Sequence, residues 1–152
     1  MSGRERVLAD ATARGIDVEF VERPAANSLE EAAELLGLPS SSVVKTLVVK
    51  RHDGDFLFAL VPGDRQISWG KLRALVGVNK LKLPEASVAL EATGYERGTI
   101  VPLGSTTAWP VYADTRVKGR IALGAGEHGV SAMVDADQLI AGLAAAVADI
   151  TD

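Results

Sequence analysis

The chain has 152 residues, a net charge of −4 at pH 7 and no cysteine, which excludes disulfides, thiolate chemistry and thiolate zinc sites. A hydrophobic fraction of 47% supports a real core, and this length suits one domain over residues 1–152. The acidic balance argues against a protein that coats DNA or RNA through bulk charge. With only His52 and His128 present, neither a histidine metal cluster nor a cofactor is expected. The first twenty residues lack the apolar run of a signal peptide, and no stretch reaches the length of a membrane span. The expectation is a soluble, cytoplasmic protein.

Residues 4–14 read as a helix closed by Gly15, followed by a strand through Ile16, Val18 and Phe20. Ser28 and Glu31 have the spacing of a capping box, and the helix they open ends at Gly37. Residues 43–50 are β-branched and read as a strand, with a turn at Asp53-Gly54 into residues 56–61. That second strand is apolar on both faces and belongs at the centre of a sheet. Ser68 caps a helix with a Leu72, Leu75, Val76 stripe that stops at Gly77. A short basic strand over 78–83 is expected next, then a helix from Pro84 to Gly94. Further strands are expected near 99–102, 109–113, 119–123 and 130–134, and an Ala-rich helix over 136–148. The fold class is therefore α+β, a single domain with a mixed, largely antiparallel, barrel-like sheet flanked by helices.

Lys45 is the residue that points furthest toward function. It shares a strand face with Val43, Leu47 and Val49, and an ammonium among aliphatic side chains is costly unless something anionic meets it. The plainer alternative is that it snorkels from the strand start or blunts an edge. Gly124-Ala125-Gly126-Glu127-His128-Gly129 spells G-x-G-x-x-G, but a strand rather than a helix follows, so it is not a dinucleotide fingerprint. His128 in that loop is either a ligand-facing side chain or one hydrogen-bonded locally. Residues 93–104 hold three glycines and Pro102 around Tyr95, the pattern of a loop shaped against a ligand or of one needing positive φ for structural reasons. Lys71 with Arg73, Lys80 with Lys82, and Arg116 with Lys118 and Arg120 could touch phosphates or could be balanced by nearby acids. No G-x-S-x-G, H-E-x-x-H or P-loop appears.

Taken together, the Glu31-Ala32-Ala33 helix, the Val44-Lys45-Thr46-Leu47 strand and T-G-Y-x-x-G-x-x-x-P-L-G at 93–104 resemble the YbaK/EbsC family. That domain is found inserted in, or associated with, prolyl-tRNA synthetases. The resemblance spans about residues 16–145 and includes the glycine-rich turn at 124–129. It implies trans-editing, the metal-independent hydrolysis of the ester joining a wrong amino acid to tRNA. It makes Lys45 the essential residue and Gly98 the glycine whose backbone lies against the substrate. Thr46 matches the branch acting on Cys-tRNA(Pro). Tyr95, Thr99, Pro102, Gly104, Gly126 and His128 fall in the substrate-binding motifs, and Lys80 and Lys82 are the expected tRNA grip. Thr99 stands where a second glycine is common, and Val101 where serine precedes the proline. The implied partners are aminoacyl-tRNA and prolyl-tRNA synthetase. A non-catalytic adaptor that binds aminoacyl-tRNA or a synthetase is the competing reading.

Overall fold

The computed structural model describes residues 1–52 and 54–152. In chain order the elements are α1 (Gly3–Ala13), β1 (Glu19–Glu22), α2 (Leu29–Leu36), a 3-10 turn (Ser40–Ser42), β2 (Val44–Lys50) and β3 (Phe56–Pro62). They continue as α3 (Trp69–Val76), α4 (Ala86–Thr93), β4 (Val111–Asp114), β5 (Arg120–Gly124), β6 (Val130–Asp135), α5 (Ala136–Leu143) and β7 (Ala146–Ala148). The strands form a three-stranded sheet, β1-β6-β5, and a four-stranded one, β2-β3-β4-β7. The first is antiparallel throughout, whereas in the second only β2 and β3 are antiparallel and the other pairs are parallel. A single parallel bridge, Val43 to Ala122, joins the sheets. The sheet system is mixed, as expected, and it is two sheets meeting at a seam rather than a closed barrel.

Every residue of β3 is buried, and its alternation feeds two cores. Phe58 and Leu60 join Val44, Val48, Tyr95 and Leu123 on one face, while Leu57, Ala59 and Val61 meet Val49, Leu72 and Ile150 on the other. A strand with no polar face can only sit inside a sheet covered on both sides, so its sequence dictates its place. The helix ends follow local chemistry. The Ser28 and Ser68 hydroxyls accept from the Glu31 and Lys71 amides, and Gly37 and Gly77 close their helices in the left-handed region. The complete reciprocal capping box forms at Ser2 and Glu5 instead, since only the Ser28 half is made at α2 among the described residues.

Four expectations change. Residues 78–83 form no strand: Lys82 makes one antiparallel bridge to Lys50, and Leu83 is 53% exposed. Residues 99–102 are likewise not a strand. Their carbonyls lie against Gly124, where a β-carbon would come within 2.4 Å of the Ile100 oxygen, and close packing replaces a ladder. The last helix stops at Leu143, Ala144 turns to φ +52°, and residues 146–148 pair with β4. Alanine propensity favours helix there, and the tertiary pairing overrides it. Leu75 lies outside the core, 41% exposed. The turn expected at Asp53-Gly54 lies partly outside the described residues.

The 93–104 loop is fixed by one cation. The Arg6 guanidinium donates to the carbonyls of Thr93 (3.2 Å), Gly94 (3.3 Å) and Gly104 (2.6 and 3.2 Å), and it stacks 4.4 Å above the Tyr95 ring. Tyr95 is 1% exposed, its hydroxyl donates to the Leu103 carbonyl at 2.8 Å, and burial pushes its pKa up to about 12. Gly104 and Gly126 are small because that ring is there: β-carbons would lie 2.4 Å from the Tyr95 hydroxyl and 2.7 Å from its ring. Replacing Arg6 with leucine strands three carbonyls of one loop. A loss of about 2–3 kcal/mol is expected, roughly 5–10 °C in a thermal melt for a chain of this size.

Candidate functional site

Beyond the Val43–Ala122 bridge, β2 and β5 diverge and leave the outer edge of β2 open. Lys50 exchanges both backbone bonds with Lys82, at 2.8 and 3.2 Å, so its peptide groups face away from β3. Antiparallel alternation then turns the peptide groups of Val48 and Thr46 to the same open edge. A cavity of about 450 Å³ occupies this gap, a size typical of small-ligand sites. Val43 to Leu47 form one wall, Ser28, Leu29 and Ala32 of the α2 region another, and Arg97, Gly98 and Ile100 a third. Leu123, Val130 and Ser131 close it from the three-stranded sheet.

Lys45, Thr46 and Gly98, from separate parts of the sequence, are therefore brought to one cavity. The half-buried Lys45 donates from its ammonium to the Arg65 carbonyl at 2.5 Å. Burial lowers its pKa below the ordinary lysine value, and the charges of Glu30 and Asp64 oppose that shift. Its nearest hydrogen-bond partner is thus a neutral carbonyl, which leaves the cation only partly compensated. Thr46 Oγ1 is buried and makes no hydrogen bond among the described residues. Gly98 adopts φ +88°, and a β-carbon built on it would have the His128 ring, at 4.0 Å, as its nearest neighbour. No bond to the Gly98 amide is made among the described residues.

The other expected site residues separate into groups. The Thr99 amide and hydroxyl both donate to the Glu96 carbonyl, at 3.0 and 2.8 Å, and its own carbonyl accepts from Gly126 at 2.9 Å. Its amide is thus spent on a turn and is not offered to the cavity. Tyr95, Gly104 and Gly126 belong to the Arg6 cluster, and Pro102 is buried behind the loop; none of the four lines the cavity. His128 sits on the exposed rim with its Nε2 3.2 Å from Glu96 Oε2. Lys80 and Lys82 are exposed and lie beyond the far end of β2, outside the cavity. The two other basic clusters are largely balanced by acids: Lys71 and Arg116 both meet Asp149 at 3.0 Å, and Arg120 meets Glu19 at 2.8 Å.

Sequence reasoning missed Arg23 and Ser131. Arg23 Nε donates to Ser131 Oγ at 3.0 Å, tying the loop before α2 to β6 inside the lining. The available signal was Ser131, a hydroxyl in an otherwise apolar strand, the same kind of anomaly that marks Lys45. Arg65 was missed as well, because its contribution is a main-chain carbonyl that no side-chain pattern reports. Among the described residues, no three His, Asp or Glu side chains converge as metal ligands, and no helix is long and apolar enough to cross a membrane.

Comparison with known proteins bears on this geometry. Residues 23–141 match the model of the aminoacyl-tRNA editing domain family. A proline–tRNA ligase of Sulfurihydrogenibium sp. is 33% identical over 130 residues, which is 82% of this chain and 22% of that ligase. The corresponding ligase of Thermosipho africanus is 41% identical over 88 residues, 58% of this chain and 16% of that protein. The chain thus spans about a fifth of the length of these ligases. Among solved structures, a candidate trans-editing enzyme for prolyl tRNA synthetase superposes with a TM-score of 0.89 at 27% identity, covering 100% of this chain and 98% of that one. A hypothetical protein, APE2540, gives the same TM-score at 25% identity, over 97% of this chain and 99% of its own. With a family match across most of its length and the same fold from end to end, this chain belongs to the aminoacyl-tRNA editing domain family.

Proposed function

We propose that this domain is a trans-acting aminoacyl-tRNA deacylase that hydrolyses the ester of a mischarged tRNA, with Cys-tRNA(Pro) or a tRNA carrying another small amino acid as substrate. The observation that carries this reading is the convergence of Lys45, Thr46 and Gly98 on one cavity. The aminoacyl group enters the gap at the open edge of β2, where Thr46 offers a hydroxyl lacking a protein partner and outward-facing peptide groups. As the carbonyl carbon becomes tetrahedral, its oxygen takes up negative charge. The free Gly98 amide donates to that oxygen, and the incompletely compensated Lys45 ammonium offsets the charge or holds the terminal adenosine phosphate. The nucleophile is water, or the substrate's own thiol or hydroxyl. Either way the ester bond to the ribose oxygen breaks and that oxygen takes a proton. A narrow cavity discriminates single methylenes by only about 1–3 kcal/mol, which is the reason a second sieve after aminoacylation is useful. The substrate and prolyl-tRNA synthetase, as the source of the error, place this work in the cytoplasm.

Turnover of a panel of mischarged tRNAs tests the reading; binding without hydrolysis across the panel identifies an adaptor instead. Lys45→Ala is expected to lower kcat/KM about 10²–10³-fold, the scale of a lost charge-stabilising group. Its melting temperature should be unchanged or higher, because a partly desolvated cation is removed. Wild-type turnover in this variant removes Lys45 from the mechanism, whereas a large fall in melting temperature assigns it a structural ion pair.

Gly98, Gly15 and Gly77 all have positive φ, and Gly15 and Gly77 also have open space around them. Alanine at each costs about 1–2 kcal/mol of strain, so the three variants should melt alike. Only Gly98→Ala should lose activity per folded molecule, by about tenfold or more, since its amide tilts away from the oxyanion. Equal specific activities contradict the role given to Gly98.

The tRNA grip belongs to Lys80 and Lys82, the second of which bridges Lys50 at the outer end of β2. Each phosphate contact on a single strand contributes a log–log salt slope of roughly −0.7. Reversing both lysines to glutamate should therefore flatten the dependence of KM on salt by about 1.4. Coincident slopes place tRNA docking elsewhere.

A further inference from the structure

The carbonyl that holds the Lys45 ammonium belongs to a loop with no regular structure of its own, residues 63–66. Left to itself such a loop would not fix a hydrogen-bond acceptor to a fraction of an ångström. Two constraints hold it. On one side Gly63 lies so close to the Ser40 and Val43 carbonyls that a β-carbon would come within 2.4 and 2.7 Å of them. On the other, Arg65 Nε donates to Thr151 Oγ1 at 2.7 Å, and the Arg65 guanidinium also reaches the Asp152 carbonyl. Thr151 is fully buried. Its hydroxyl donates to Asp114 Oδ1 at 3.2 Å and also accepts from Arg116 Nη1 at 3.1 Å. Asp114 is itself 0% exposed and takes a further bond from the Ile150 amide at 3.0 Å. Backbone bonds from Ser68 to Ile150 and from Asp152 to Gln66 run alongside. Asp149 completes the support, its carboxyl held at about 2 by Lys71 first and Arg116 second, so it stays ionised at neutral pH.

Starting from the reading of Lys45 given above, we infer that Thr151 is a positioning residue for that lysine, acting through Arg65. A single buried hydroxyl links the anchored carboxylate of Asp114 to the guanidinium of Arg65, and the Arg65 carbonyl sets where the ammonium stands relative to the cavity. Thr151 does not line the cavity, and neither do Arg65, Arg116 and Asp114, to which its hydroxyl is bonded. Its effect on turnover therefore passes through the loop. Misplacing a reacting group by about 1 Å can cost 10²-fold in rate, so with Lys45 in its charge-offsetting role, loosening the link is expressed in kcat while substrate affinity is kept.

The test uses Thr151→Val, which keeps the volume and removes the hydroxyl, Thr151→Ser, which restores it, and Arg65→Met, which removes the guanidinium while leaving the carbonyl. Each is assayed alone and in the Lys45→Ala background, at a temperature where every variant is folded by circular dichroism. The expected result is about a tenfold loss of kcat with KM unchanged for Thr151→Val and Arg65→Met, and recovery to within about twofold for Thr151→Ser. In the Lys45→Ala background neither substitution should lower the residual rate further, the non-additivity of residues acting as one unit. Wild-type kcat in Thr151→Val and Arg65→Met overturns the inference. So does an equal loss in the valine and serine variants, or an undiminished loss when Lys45 is already gone. Full activity of Lys45→Ala alone is a different result, and it removes the reading on which the inference rests. Should Thr151→Val fail to fold, Arg65→Met and Thr151→Ser carry the same comparison.

Discussion

The Arg6 guanidinium is the contact on which the far wall of the cavity depends. A loop as rich in glycine as 93–104 has many conformations open to it, and its carbonyls lie where no strand or helix can take them up. Arg6 binds three of those carbonyls and covers the face of Tyr95, so one side chain from α1 compensates the backbone that the loop leaves unpaired. Asp10, one turn further along α1, accepts from the Gly104 amide at 2.8 Å and closes the same junction. With the loop held at both ends, Gly98 projects from a rigid base. Its positive φ becomes a fixed presentation of one amide instead of a point of freedom.

The opposite wall is built by different means. β2 is an edge strand, and an edge exposes unpaired peptide groups that most proteins blunt or cover. Here the outer end is covered by the two-bond bridge from Lys50 to Lys82, and the inner end by the Val43–Ala122 bridge. The stretch between them stays open, bounded by α2 and by the hairpin of β5 and β6. The cavity is thus the unzipped part of a seam between two sheets, and its polar groups are largely those of the seam itself. One wall hangs from a helix cation, the other from a β ladder. Lys45 and Gly98 are placed by supports that share little beyond the common core.

Much of the architecture was legible because it rests on local rules. β3 has no polar face, so its central position was readable; Ser28, Ser68, Gly37 and Gly77 mark helix ends through capping alone. Lys45 was legible as a departure from its surroundings, a cation in an apolar strand, whereas Gly98 was singled out only by the family resemblance. What escaped depends on distant partners. Residues 146–148 leave the helical path because β4 offers a ladder 34 residues earlier, at Tyr112 to Ala146. Residues 78–83 alternate like a strand yet, among the described residues, pair only through the Lys82–Lys50 bridge. The motif around Tyr95 carried two signals at once. Gly98 faces the cavity, while Gly104 and Gly126 make room for a ring and for α1, and spacing alone cannot separate those reasons for being glycine.

In this acidic chain many of the cations are engaged within the fold. Among the described residues four arginines and one lysine are paired with acids: Arg4 with Glu22 and Glu127, Arg14 with Asp10, Arg116 and Lys71 with Asp149, Arg120 with Glu19. Arg6 is spent on carbonyls and Arg23 on Ser131. Lys80, Lys82 and Arg97 make no ion pair among the described residues. Lys82 lies at the outer end of β2 and Arg97 lines the cavity, so unpaired cations stand near Lys45, although Arg73 and Lys118, elsewhere in the fold, also make no ion pair among the described residues. The whole chain carries a net charge of −4, which disfavours non-specific contacts with a nucleic acid. Under the function proposed above, the acceptor end of a tRNA would be met by a few locally placed unpaired cations rather than by a basic composition.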